Sequence, residues 1–394
     1  MNRHRTTETE EVDEVDEVAE GKAHRRRTVP ALLLAAGLAL TSGLAACGEA
    51  AEVRDPQTRT ARDSRTVGLL LPDSTNRFAE FDRPLIERRV AELCPECDVE
   101  FASAQADVAT QQRQLDAMIT KGVRVIILDA VDSKSLSSSV DRARRAGIEV
   151  IAYDRLVEGP VSAYVSFDGE RVGRLQGEAL LRALGDEARD GQIVMMNGAA
   201  TDPNSAWFKE GALAALEGKV TIGKAYDTAE WRPVNAHVNM AGAIASLGAD
   251  EIDGVYSAND GLAAGIISAL KAAKIHPLPP VTGQDAELAG IQRIVAGDQY
   301  MTVYKPFRLE ANAAAEMAVA LVRGGTPYGI ATGTVDSPTT PDIPSVLLTP
   351  IAVTADTIEE TVVKDGVYTV DQICTPRYAD ACERAGLTPP SPAP

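Results

Sequence analysis

Apolar residues come in two rhythms along this chain. Short continuous runs, at 66–71, 123–128, 148–153 and 193–196, are aliphatic and do not alternate with polar residues. Strands buried on both faces of a parallel sheet read that way. Between and after them lie stretches with helical spacing, at 108–121, 133–146, 169–184, 235–247 and 261–273. Strands alternating with amphipathic helices predict βαβ units and a parallel sheet covered on both faces. The pattern runs twice, from Val67 to about Asp154 and from about Ser166 to Asp285. It predicts an α/β protein of two open, parallel-sheet, Rossmann-like lobes with a cleft between them. At 394 residues the chain exceeds what one core usually serves, which agrees with two lobes. The tail from 338 is irregular, with a strand-like 346–348 and a helix-like 355–363.

In open parallel sheets ligands bind outside the carboxyl ends of the strands. Five runs here end on polar side chains. IVMMNG leads to Asp202 and Asn204, VIAYDR closes on Asp154 and Arg155, and VYSAND carries Asn259. VTGQD closes on Asp285 and MTVYK on Lys305. The groups that chemistry would need are scarce. Of four His, His4 and His24 fall in the leader, leaving His237 and His276 isolated. That argues against a His-rich metal site and a Ser–His–Asp triad. No Walker-type or GxGxxG loop opens a helix after a strand. No cofactor and no metal are expected, and the set is better suited to hold a polar molecule than to transform one. A net charge of −18 argues against nucleic acid, whose phosphates need clustered Lys and Arg.

The N-terminus reads as an address. Arg25, Arg26 and Arg27 precede an apolar run at 29–40, followed by Leu44-Ala45-Ala46-Cys47-Gly48. A basic patch, a short apolar core and small residues before a cut site form an export signal. The run is shorter than the ~20 residues of a membrane span. The Leu-Ala-Ala-Cys string resembles the bacterial lipobox, which implies lipidation of Cys47 and anchoring to the outer face of the cytoplasmic membrane. An acidic arm, residues 1–20, stands ahead of the basic patch. Residues 48–65 read as a flexible tether. Cys94, Cys97, Cys374 and Cys382 remain, and four cysteines allow three pairings. Local pairs, Cys94–Cys97 and Cys374–Cys382, are the simplest in an exported chain. Redox or zinc work is the alternative for a CxxC pair, but no His lies near either pair.

Planar acceptors and donors suit sugar hydroxyls, and aromatic rings suit the C–H faces of a sugar. Phe78 follows Arg77 just after the first strand, and Trp231 lies in Glu230-Trp231-Arg232-Pro233. They come from opposite halves and are placed to sandwich a ring across the cleft. Each candidate also has a plain structural reading: Asp285 as a helix cap, Arg155 as an inter-lobe ion pair, Lys305 as a hinge surface residue, Trp231 and Phe78 as packing aromatics.

On these residues the chain resembles the type I periplasmic sugar-binding proteins of ABC transporters, most closely the D-xylose-binding type. The matching strings are Ala152-Tyr153-Asp154-Arg155, Val165-Ser166-Phe167-Asp168, Ser257-Ala258-Asn259-Asp260, residues 283–290 (GQDAELAG), residues 301–306 (MTVYKP) and Leu348-Thr349-Pro350-Ile351. The resemblance spans roughly 67–367 and departs at Phe78, where the xylose type often has Trp. It implies a ligand set of Arg77, Phe78, Asp154, Arg155, Asp202, Asn204, Trp231, Asn259, Asp285 and Lys305. It also implies a three-segment hinge near 160–166, 285–290 and 304–306. The corresponding division is a signal peptide with lipobox and acidic arm at 1–47, the tether at 48–65, a first lobe of 66–163 plus 306–340, a second lobe of 164–305 plus 341–385, and a disordered tail at 386–394. The implied function is capture of a monosaccharide, D-xylose first, and delivery to an ABC permease and its ATPase by a monomeric, lipid-anchored binder. Arabinose, glucose or galactose binding, a chemosensory receptor, and an exported enzyme using Asp154 and Asp285 are the alternatives. A repressor of the same fold would need an N-terminal helix-turn-helix where this chain carries an export signal.

Overall fold

The computed structural model describes residues 64–72 and 77–387. The predicted leader with Cys47, most of the predicted tether and the chain beyond 387 lie outside the described residues.

The elements follow in chain order. β1 (Thr66–Leu71) leads through a wide π-type turn at Phe78–Asp82 into α1 (Arg83–Leu93). Then come β2 (Asp98–Ser103), α2 (Val108–Lys121), β3 (Val125–Leu128), α3 (Ser137–Arg145), β4 (Glu149–Tyr153) and β5 (Ala163–Phe167). α4 (Gly169–Leu184), β6 (Gln192–Asn197), α5 (Pro203–Leu216), β7 (Thr221–Asp227), α6 (Pro233–Leu247), β8 (Gly254–Ser257), α7 (Asp260–Ala272) and α8 (Leu288–Ala296) follow. The last described elements are β9 (Thr302–Tyr304), α9 (Phe307–Val322), β10 (Gly333–Val335), β11 (Ile343–Leu348), β12 (Ile351–Val353), α10 (Val370–Ile373) and α11 (Ala379–Arg384).

The first lobe is built on a sheet of order β10-β11-β5-β4-β3-β1-β2, parallel except for β10 against β11. Alternate residues serve its two faces. Leu69, Ile127, Ile151 and Tyr153 pack with Ile86 of α1 and the Ala-rich face of α9. Leu70, Ile126, Leu128 and Val150 pack with Leu115 of α2 and Val140 of α3. Both faces are covered, and the central strand β3, VIIL, is apolar and buried at every position. The second lobe carries β7-β6-β8, all parallel. A single bridge joins Val255 of β8 to Val281. Val303 N then donates to Gly283 O and Asp285 N to Val303 O, which carries the sheet on to β9, antiparallel to β12. The VTGQD run is therefore extended but is not a full strand. Pro279 and Pro280 stand before it without N–H donors, and Asp285 ends it at φ 84°.

The chain crosses between lobes at Asp168, at Lys305-Pro306 and at Thr349-Pro350, where consecutive elements belong to different sheets. This corrects two of the expected hinge segments. Residues 160–166 include most of β5, inside the first sheet, and 285–290 lie wholly in the second lobe, where α8 packs with β9 and α7. The lobe boundaries move with them. β5 pairs with β4 and β11 with β5, so residues up to Phe167 and residues 343–348 belong to the first lobe. The expected disordered tail also starts too early: Leu387 is 3% exposed and packs in the cluster around Ile373 and Cys382.

Cys94 pairs with Cys97 at the turn from α1 to β2, and Cys374 with Cys382 between α10 and α11. Among the described residues no helix is long and apolar enough to cross a membrane.

Candidate functional site

The carboxyl ends of the strands in both lobes face one small cavity. Its lining brings together all ten sequence-derived ligand candidates: Arg77, Phe78, Asp154, Arg155, Asp202, Asn204, Trp231, Asn259, Asp285 and Lys305. Phe208 and Gln284 complete it.

Arg77 is held by carboxylates of the first lobe. Its Nε and Nη2 donate to Asp82 at 2.9 and 3.2 Å, Nη2 to Glu310 at 2.5 Å, and Nη1 to Asp154 at 3.1 Å. Tyr153 Oη donates to Asp82 from behind. The guanidinium lies over the rings of Phe307 and Phe78, 4.7 and 5.4 Å from their centroids. Charge-assisted bonds of this density fix both the position and the plane of the donor.

Asp154 sits at φ 56°, a left-handed conformation that costs a non-Gly residue energy. The surroundings over-determine it: its carbonyl accepts from Tyr164 Oη, Ser166 Oγ and Asn204 Nδ2 at 3.0, 2.8 and 3.1 Å. Burial would raise its carboxyl, but Arg77, Lys305 and Arg155 outweigh burial and hold it at about 2. Lys305 Nζ stands 2.9 Å from Asp285 Oδ1 and 3.8 Å from Asp154 Oδ1. Lys305 is buried, which sets aside a surface role. Asp285 is not a helix cap either, since α8 begins at Leu288 after Glu287.

In the second lobe Asp202 caps α5, accepting from Asn204 N at 2.9 Å, and its other oxygen accepts from Trp231 Nε1 at 3.1 Å. Across the cleft Arg155 Nε approaches that same oxygen to 2.8 Å, so Arg155 does form an inter-lobe ion pair. Burial pushes the Asp202 carboxyl up and Arg155 opposes the shift. Trp231 is 6% exposed and lies on Gly198, where any Cβ would meet the ring at 2.0 Å. Asn259 caps α7 through its Oδ1. Two buried amide oxygens at the cavity, Asn204 Oδ1 and Gln284 Oε1, accept no hydrogen bond. Buried acceptors rarely stay unmet, and here they face a space that hydroxyl donors can fill.

Comparison with known proteins matches residues 67–326 to a family model described as a periplasmic binding protein domain. The D-xylose-binding periplasmic protein of Escherichia coli (strain K12) is 37% identical over 308 residues, 77% of this chain and 90% of that protein. The chain belongs to the periplasmic sugar-binding proteins of ABC transporters. The multiple sugar-binding periplasmic receptor ChvE of Rhizobium radiobacter is 33% identical over 335 residues, 79% of this chain and 93% of that protein. The crystal structure of an ABC transporter solute-binding protein from Clostridium phytofermentans with bound β-D-glucose aligns at a TM-score of 0.73 and 30% identity, covering 78% of this chain and 99% of that one.

Members of this family bind solutes and are not enzymes. A glycosidase acid needs a carboxyl that carries a proton near neutral pH, and Asp154, one of the two carboxyls of the enzyme alternative, is held at about 2. Sequence reasoning missed Phe208 and Gln284. Both had local signals, since Phe208 stands one helical turn after Asn204 on α5 and Gln284 directly precedes Asp285. It also missed Asp82, Tyr153 and Glu310, which hold Arg77 but do not line the cavity.

Proposed function

We propose that the chain captures a monosaccharide, D-xylose in preference to others, between its lobes and passes it to an ABC permease and its ATPase. The observation that carries this reading is the pair of unmet buried oxygens, Asn204 Oδ1 and Gln284 Oε1, in a cavity that also presents Phe78 from one lobe and Trp231 from the other. Hydroxyls satisfy the amides and the charged edges of Asp154, Asp285, Arg77 and Lys305, while the rings cover the apolar faces of the sugar. Asp202, Asn204 and Asn259 contribute from helix N-termini, and Arg155 joins the lobes on closure. The 37% identity to a protein named for D-xylose favours that sugar. Relatives named for multiple sugars, and a 30% identical structure holding β-D-glucose, make glucose the next reading. Binding at a cleft between hinged lobes shifts them toward the closed form, which is the form a permease, or a sensory partner in a second role, would recognise. We place the protein as a monomer on the outer face of the cytoplasmic membrane, held by a lipid on Cys47; the Cys47→Ser chain should move from the detergent to the aqueous phase, and unchanged partitioning would remove the anchor.

The chain contains two Trp, Trp207 and Trp231. In a Trp207→Phe variant the emission should report Trp231 alone and change saturably with D-xylose. An emission indifferent to every pentose and hexose tried would sink the stacking role.

A further inference from the structure

Asp129 follows β3 and is fully buried, yet neither of its carboxylate oxygens accepts a hydrogen bond. Among the described residues the cation paired with it is Arg155, whose Nε is 3.5 Å from Asp129 Oδ1 but 2.8 Å from Asp202 Oδ2. Asp129 and Arg155 belong to the same lobe, after the adjacent strands β3 and β4, whereas Asp202 belongs to the other. The local backbone does not need the Asp129 side chain. Its N–H donates to Leu70 O, its carbonyl accepts from Gln111 Nε2, and Gln111 Oε1 accepts from Val131 N. Arg155 Nη1 is tied to Ala130 O, so the guanidinium is anchored beside Asp129 whether or not Asp202 is present.

We propose that Asp129 is the open-form partner of Arg155 and thereby sets the affinity of the cleft: Arg155 exchanges Asp129 for Asp202 as the lobes close, leaving a buried carboxyl without a donor in the closed form. Closure then carries a built-in penalty that ligand contacts must exceed, so the empty protein stays open and the permease is not engaged by unloaded binder. The inference rests on the cavity being a sugar site. A buried carboxylate without a donor is costly in any fold. Burial pushes the Asp129 carboxyl well above the ordinary range, against the pull of Arg155. Asp129 does not line the cavity, so it acts on binding through Arg155 rather than by touching the ligand.

The sign of the expected effect separates this role from a packing role. Asp129→Asn keeps the shape and removes the charge that favours the open form. Since apparent affinity scales with the closed-competent fraction, the Kd for D-xylose should fall by about threefold or more. By small-angle scattering the ligand-free variant should be more compact than ligand-free wild type. Asp202→Asn, which removes the closed-form partner, should move both readouts the other way. Unchanged or weaker binding by Asp129→Asn, or ligand-free dimensions equal to wild type, overturns the proposal; a water that serves Asp129 equally in both forms gives that result. If Asp129→Asn does not fold, Asp129→Ser is read in the same way. If wild type binds no sugar, the functional reading fails, and the ligand-free scattering comparison still decides the exchange of partners.

Discussion

Arg77 and Asp285 show how single side chains divide the work of the cavity. Arg77 spends its donors on Asp82, Glu310 and Asp154, which makes it rigid. Asp285 is ion-paired through Oδ1 with Lys305 and stands at the cavity edge. If Asp285 accepts two ligand hydroxyls, Asp285→Ala should weaken sugar binding by at least ~2 kcal/mol, roughly 30-fold, because it removes charge-assisted bonds and leaves Lys305 without its nearest partner. Calorimetry on the variant checks this; an affinity within a factor of two of wild type would show that Asp285 only positions Lys305. The ten candidate side chains were legible because each follows a strand end or sits in a short aromatic or capping string. Asp129, Asp82 and Glu310 were not. They are three of 57 acidic residues, and nothing in their neighbours marks a carboxylate that will face a cation from another part of the chain.

At the level of elements, helices announced themselves when their ends were marked. α2 spans 108–121 as read, with Asp107 capping its start and Gly122 at φ 67° ending it. α4 spans 169–184 as read, with Asp168 as its cap. Gly173 of α4 faces the backbone of α5, where a Cβ would come within 1.8 Å of Phe208 O, and Gly211 of α5 faces Glu170 O at 1.9 Å. The two helices therefore touch backbone to backbone, and α5 carries Asn204 and Phe208 to the cavity lining. That contact could not be read from spacing, because a glycine in a helix does not name its partner. β7 was also missed: its sequence, TIGKAYD, is polar and partly exposed at the sheet edge, so it lacks the apolar run that marked the buried strands.

On the scale of the whole molecule, the two-lobed α/β plan was readable from the repeated strand–helix rhythm, but the path between lobes was not. Where the chain crosses depends on which sheet takes the strand at 343–348. That is settled by its pairing with β5, nearly two hundred residues earlier. The outcome leaves a cavity whose lining comes from both lobes. The central claim is that this cavity holds a neutral sugar without chemistry. Isothermal titration of the full chain with D-xylose, L-arabinose, D-glucose and D-galactose tests it most directly. The account predicts saturable binding of one sugar per chain, tightest for D-xylose, with the sugar recovered unchanged. Absence of heat with all four, or conversion of any of them, would contradict it.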